Sequence, residues 1–183
     1  IRRQRQMCIR DRINLFSKVS EHGQIDCVIF NIGANVFFPI KETTARVFKK
    51  VWEMATFAGF LVGRESAKHM KNNGTIIFTG ATASVRGSSG FSAFSSAKFG
   101  LRALAQSLAR ELGPQGIHVV HTIIDGAIDH PWIEENFPET YKLKEVDGIL
   151  NPDQIAETYY NLHLQEKSVW THEIDLRPYM EKF

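Results

Sequence analysis

The sequence has little that could hold a chain together except a packed core. Only two cysteines, Cys8 and Cys27, occur among 183 residues, with no metal or redox spacing and no capacity for a disulfide framework. A reducing, cytoplasmic setting is therefore the expectation. No apolar run approaches the roughly 18 to 20 residues that a bilayer span needs, and no charged, apolar, small-residue leader opens the chain. The seven histidines show no metal-ligand pairing and are read as structural or surface residues; no metal is expected. What is present is ordinary: 43% hydrophobic and 23% charged residues, with 13 Gly and 6 Pro, exclude disordered and low-complexity classes. The length fits one domain.

The net charge of +2 is unevenly placed. Residues 1–12, IRRQRQMCIRDR, carry five Arg against one Asp, so the remainder is slightly acidic and no nucleic-acid partner is expected. This opening reads as a nucleic-acid arm, a targeting peptide or a foreign scar. It lacks the apolar period and the serines of a transit peptide, and it resembles translated adapter sequence. Residues 1–12 are accordingly set aside as non-native.

From Asn14 the pattern reads as alternating helices and strands. A helix tail ends at Gly23, and the apolar strand Cys27–Phe30 follows. Thr43 or Thr44 caps a long helix with Val47, Val51, Met54, Ala58 and Leu61 on one face, ending at Asn72-Asn73-Gly74. A strand at Thr75–Thr79 leads into the small-residue loop Gly80–Gly90. The next helix carries Leu101, Leu104, Leu108 and Leu112 at helical spacing and stops at Gly113-Pro114. Ile117–Ile124 is a third strand, Asn151-Pro152 opens a short helix, and Glu173–Leu176 is a final strand. Strands apolar on both faces, alternating with helices, predict an α/β doubly wound parallel sheet of Rossmann type. No Gly-rich turn stands between a strand and a helix to cradle a phosphate. A sheet of this kind without its first half leaves an apolar edge exposed, so residues 13–183 are expected to be the C-terminal two-thirds of one domain.

The order of segments over about residues 13–183 resembles the short-chain dehydrogenase/reductase family. NIGA at Asn31–Ala34 resembles that family's NNAG turn. GTIIFTGATAS at Gly74–Ser84 resembles the strand and loop that bear its catalytic Ser. FSSAK, Phe94–Lys98, stands where Tyr-x-x-x-Lys belongs, followed by the family-like FGLRALAQSLARELGPQGIHV. The resemblance implies NAD or NADP as cofactor and a small-molecule substrate. In that family a Tyr phenol donates a proton as hydride arrives from the nicotinamide. A Lys four residues on lowers the phenol pKa and holds the ribose, a Ser positions the carbonyl oxygen, and an Asn backs the Lys.

At the matching positions this chain has Phe94 for Tyr, Ala81 for Ser and Ala55 for Asn; only Lys98 remains. Phenylalanine has no titratable proton and alanine no donor for a developing oxyanion. Ordinary carbonyl reduction by the family route should be close to abolished, because a positioned general acid alone is worth ~10²–10⁴-fold. A substrate whose anion is stabilised by its own conjugation escapes that loss, and family members that reduce dienoyl thioesters resemble this case. The expectation is an NAD(P)-dependent oxidoreductase with an altered site; the alternative is a non-catalytic dinucleotide-binding or scaffolding homologue.

The resemblance also implies cofactor contacts from Asn31, Gly33, Ala34, Thr79, Gly80, Lys98, Asp125, Gly126 and Ile128. Each has a plainer reading: Lys98 as a solvated helix lysine, Asn31 and Gly33 as turn formers, Asp125 as a cap or turn residue rather than an alternative acid. Thr82 or Ser84 supplies a hydroxyl only if the loop is re-aimed. Residues 129–150, with Trp132 and Phe137, fall where the family has its substrate lid. Small residues on Val47–Met70 and Ser92–Leu112 (Ala55, Ala58, Gly59, Ala97, Gly100, Ala103, Ala105) permit close helix approach. In the family these helices build the dimer core, so a homodimer or tetramer is expected.

Overall fold

Each apolar segment becomes a strand in the computed structural model, which describes residues 2–182, with side chains from Arg10 to Lys182. The side chain of Cys8 and most of the basic opening lie outside the described part; Cys27 is a free, exposed thiol. The strands β1 (Cys27–Phe30), β2 (Thr75–Thr79), β3 (His118–Ile124) and β4 (Glu173–Leu176) form one sheet in that order. All three pairings are parallel, with Ile77 opposite Ile29 and Val120, and His121 opposite Phe78 and Glu173. β3 is buried over its whole length and β2 over nearly all of it, because helices cover both faces.

The covering helices follow from the side-chain periods. α1 (Arg2–Ser20) precedes β1 and starts well before the helix tail expected from Asn14. It contributes Phe16 to a core with Phe30, Val62, Phe78, Leu101 and Val119. α2 (Ala45–Trp52) begins at Thr44, whose hydroxyl accepts from the Val47 N–H at 3.2 Å. It runs through a π turn, Glu53–Phe57, into α3 (Ala58–His69). The extra residue in a π turn rotates everything after it. The buried face thus passes through Val51, Ala55 and Leu61, while Met54, expected inside, is 37% exposed.

α4 (Ser92–Leu112) lies beside α3, and the small residues are spent on that contact. A β-carbon on Gly59 would lie 2.5 Å from Leu101 Cδ1, and one on Gly63 would lie 2.6 Å from Leu108 Cδ1. Two short helices, α5 (Pro131–Asn136) and α6 (Pro138–Tyr141), fill the segment after β3. There the Trp132 and Phe137 rings meet at 5.4 Å. α7 (Pro152–His163), capped by Asn151, covers the other face through Tyr159 and Leu162 against Ile77, Val120 and Ile124. Among the described residues nothing pairs with the outer edge of β1. Ile29 there is 51% exposed, an apolar strand at an uncovered edge, unlike β2 and β3.

Candidate active site

Parallel strands end at one side of the sheet, and the loops that leave them there enclose a crevice. Here the segments after β1, β2 and β3, with the start of α4, enclose a cleft of about 430 Å³. Its wall includes Asn31, Gly33, Thr79, Gly80, Ala81, Phe94, Lys98, Gly126 and Ile128, all named from the sequence. Ala34, Ala55 and Asp125 are not on it. Ala34 and Ala55 turn inward and pack with Val51, Ala93 and Ala97 between α2 and α4, where a methyl group fits and no ligand reaches.

Lys98 follows Phe94 by four residues, so both side chains lie on one face of α4. Lys98 is 3% exposed and donates through Nζ to the Thr79 carbonyl at 2.8 Å. Nζ lies 5.9 Å from the centre of the Phe94 ring. Burial disfavours the charged form and pushes the Lys98 pKa down to about 8. The plain reading of Lys98 as a solvated helix residue is therefore wrong: its side chain runs inward, beneath the loop after β2.

That loop commits its hydroxyls elsewhere. Ser84 is fully buried and accepts the Ala81 N–H at 3.1 Å. The Thr82 hydroxyl donates to the Asp125 carboxylate. Asp125, only 4% exposed, also pairs with Arg177, which lies 3.0 Å from its other oxygen. Asp125 thus ties the loop after β2 to the segment after β4 and does not face the cleft. Neither Thr82 nor Ser84 is re-aimed to replace the hydroxyl missing at Ala81.

A second network, absent from the sequence reading, lies under the same loop. Arg102, one turn beyond Lys98, donates two hydrogen bonds to Glu173, at 2.7 and 2.6 Å. The other partner of Glu173 is His121, whose Nδ1–H donates at 2.9 Å. Burial pushes the His121 pKa down to about 4, against the pull of Glu173. The imidazole is then neutral, and its Nε2 is buried without a hydrogen-bond partner. On the opposite face the Tyr159 hydroxyl shares hydrogen bonds with Thr79, at 2.9 Å, and Thr122, at 2.5 Å. His121 and Glu173 become neighbours only through the β3–β4 register, and Arg102 is the one member whose place, four residues after Lys98, could be read beforehand.

Among the described residues no three His, Cys, Asp or Glu side chains are grouped to hold a metal ion, and no helix is long and apolar enough to cross a membrane. A family profile described as short chain dehydrogenase matches residues 10–140. Hydroxynaphthalene reductase arp2 of Aspergillus fumigatus is 27% identical over 128 residues, 69% of this chain and 47% of that protein. The (21S)-21-acetoxyl-apo-melianone synthase SDR of Melia azedarach is 30% identical over 158 residues, 77% of this chain and 58% of that one. The chain thus spans about half the length of the curated relatives it matches. A solved short-chain dehydrogenase from Rhodopseudomonas palustris is similar at a TM-score of 0.77 and 49% identity, over 93% of this chain and 70% of the other. ElxO, solved with NADP bound, shares the fold at a TM-score of 0.82 and 15% identity, over 91% and 72%. With a profile match over more than half its length, on a parallel sheet of the same α/β architecture, the chain belongs to the short-chain dehydrogenase family.

Proposed function

We propose that the full-length protein is a cytoplasmic NAD(P)-dependent oxidoreductase whose active site departs from the family pattern at Phe94, Ala81 and Ala55. The observation that carries this reading is Lys98, a buried ammonium whose only hydrogen-bond partner among the described residues is a neutral carbonyl, on the wall of a cleft at the strand ends. An ion held out of water without a counter-charge is costly, and a ligand's oxygens would offset that cost. The surroundings suit a ribose and a planar ring: a β-carbon on Gly33 would meet nothing within 4 Å, and Asn31, Gly126 and Ile128 complete the wall. Residues 1–183 contain no Gly-rich strand-to-helix turn for a pyrophosphate. This supports reading residues 13–183 as the C-terminal two-thirds of the domain; residues 1–12 are proposed as non-native on their Arg-rich composition alone.

When bound, a nicotinamide supplies or accepts the hydride. Lys98 holds ribose hydroxyls through the N–H groups not given to Thr79, and Phe94 keeps water from the floor of the cleft. Neither Phe94 nor Ala81 offers a proton, the Thr82 hydroxyl on the wall is given to Asp125, and the Ser84 hydroxyl accepts the Ala81 N–H. A reduced substrate therefore takes its proton from water, which favours substrates whose anion is stabilised by conjugation. The lack of a proton donor at the Phe94 and Ala81 positions also favours a second reading, a dinucleotide-binding protein without turnover.

Titration of the full-length protein with NADH and NADPH, followed by assays on alcohols, ketones and conjugated enoyl compounds, separates the two. Binding with turnover supports the enzyme, binding without turnover supports the second reading, and no binding sinks both. A homodimer or tetramer is proposed on the outer faces of α2–α4, where Phe48, Trp52, Phe60 and Phe99 are exposed. The Phe57 ring stacks between Trp52 and Phe60, at 6.0 and 6.1 Å. Light scattering showing a monomer at tens of micromolar would remove that part.

A further inference from the structure

We propose that the end of the cleft beside Arg86 is a subsite for an organic anion, a substrate with an apolar body against Phe91 and Phe94 and a carboxylate against Arg86. The proposal deepens the oxidoreductase reading and rests on it for calling the ligand a substrate.

Only two side chains on the cleft wall ionise, Lys98 and Arg86, and both are basic. Asp125 is not on that wall and is held by Thr82 and by Arg177, which it shares with Asp175. Lys98, 3% exposed and bonded to the Thr79 carbonyl, is the group assigned above to the ribose. Arg86 is different: it is exposed, on the loop between β2 and α4, and no carboxylate pairs with it among the described residues. Arg102, by contrast, holds Glu173, and Arg177 holds both Asp125 and Asp175. A guanidinium is a planar fork of donors suited to a carboxylate.

Ser95 adds a second donor. It lines the cleft, is 6% exposed, and its hydroxyl reaches only the Arg86 carbonyl at 3.5 Å, the outer limit of a hydrogen bond. A nearly buried hydroxyl so weakly engaged is available to a ligand oxygen. The apolar body has its own wall. The Phe91 and Phe94 rings stand 6.5 Å apart, and Phe37 meets Phe91 edge-on at 5.2 Å. Phe37, 62% exposed, packs against Gly90, where a β-carbon would come within 2.2 Å of its ring. These rings and Arg86 belong to the loop after β2, the start of α4 and the segment after β1. Gly126 and Ile128, on the proposed dinucleotide side, belong to the loop after β3. The segment after β1, the loop after β2 and α4 thus serve both ends of the cleft, and only the loop after β3 serves the dinucleotide end alone.

The test is isothermal titration of the full-length protein, with and without NADPH, against 4-phenylbutyrate and its neutral isostere 4-phenylbutyramide. The carboxylate should bind at least about 10-fold tighter than the amide, Arg86→Gln should erase that preference, and Arg86→Lys should keep part of it. Arg86 is exposed, so both variants should melt like the parent. NADPH affinity should be unchanged in Arg86→Gln. Equal binding of acid and amide, or binding of neither, overturns the proposal. So does a loss of NADPH affinity in Arg86→Gln as large as the loss for the carboxylate, which places the guanidinium on a dinucleotide phosphate. A charge preference that depends on Arg86 in a protein that binds no dinucleotide sinks the oxidoreductase reading and leaves the anion subsite standing.

Discussion

Gly80 and His121 are packed so closely that no β-carbon fits between them: one built on Gly80 would lie 2.3 Å from His121 Nε2 and 2.8 Å from Ser84 Oγ. The imidazole cannot move away, because it is fully buried and held by Glu173 on its other nitrogen. The height of the loop after β2, and with it the Thr79 carbonyl that holds Lys98, is therefore set from below by His121. Gly80→Ala should cost ~1–3 kcal/mol through overpacking, whereas Gly33→Ala, with open space around it, should stay within about 0.5 kcal/mol. Urea unfolding of the full-length protein gives both numbers. Equal stability of the two variants would mean that the loop floats free of the histidine.

The same histidine makes the fold sensitive to acid. Its pKa lies at about 4 in the folded chain, against an ordinary value of 6.5. Between those limits the unfolded chain takes up a proton that the folded one refuses, so stability falls as the pH drops through that window. The facing charges are Glu173, which opposes the shift, and Arg102 and Lys98, which reinforce it. The total is on the order of 3 kcal/mol. Thermal melts from pH 7 to 4.5 should fall more steeply for the parent than for His121→Gln. Parallel curves would show that some other group governs the acid response.

Lys98 gives a signature of the same sign on the alkaline side. Its folded pKa of about 8 lies below the ordinary 10.5. From pH 8 to 10.5 the unfolded chain holds the extra proton, and stability rises with pH relative to a Lys98→Ala variant. Dinucleotide affinity should move the other way, weakening above pH 8 as the ammonium that donates to the ribose is lost. Lys98→Ala should weaken binding by ~1.5–3 kcal/mol, the worth of one charge-assisted hydrogen bond. Unchanged binding by isothermal titration would sink the assignment of Lys98 to the ribose.

The sequence made the strands and the Lys98 position legible for one reason: both depend on local spacing. Alternating apolar runs and helical periods give β2, β3 and α4 with bounds close to those observed, and a four-residue interval puts Phe94 and Lys98 on one face whatever surrounds them. What failed depended on contacts between distant segments. The π turn at Glu53–Phe57 replaced Met54 by Ala55 on the buried face, and no propensity of EMATF announces an extra residue in a turn. Asp125 was placed near the cofactor by its position after β3, but its partners Thr82 and Arg177 come from 43 residues before it and from beyond β4. His121 had no distinguishing neighbour in sequence; register alone set it against Glu173.

The sharpest test of the altered site is to rebuild it. Phe94 is buried on the cleft wall with its ring centre 5.9 Å from the Lys98 ammonium, so Phe94→Tyr adds a phenol on the face that Lys98 already occupies. Ala81→Ser adds a hydroxyl at the edge of the same cleft, beside the N–H that Ser84 already accepts. Together they supply a general acid and an oxyanion donor, groups worth ~10²–10⁴-fold and ~10²–10³-fold elsewhere. Their effects do not multiply, since they act as a unit. The full gain is not expected. Ala55 is sealed between α2 and α4 against Ala93 and Ala97, so an Asn there would overpack the helices and the support behind Lys98 stays incomplete. The double variant of the full-length protein should oxidise NADPH with small ketones at least about 10-fold faster than the parent. Adding Lys98→Ala should return it to the parent rate, because the phenol then loses the ammonium that lowers its pKa. A double variant that binds NADPH as the parent does and shows no gain would mean that the Phe94 and Ala81 positions do not face the reacting carbon.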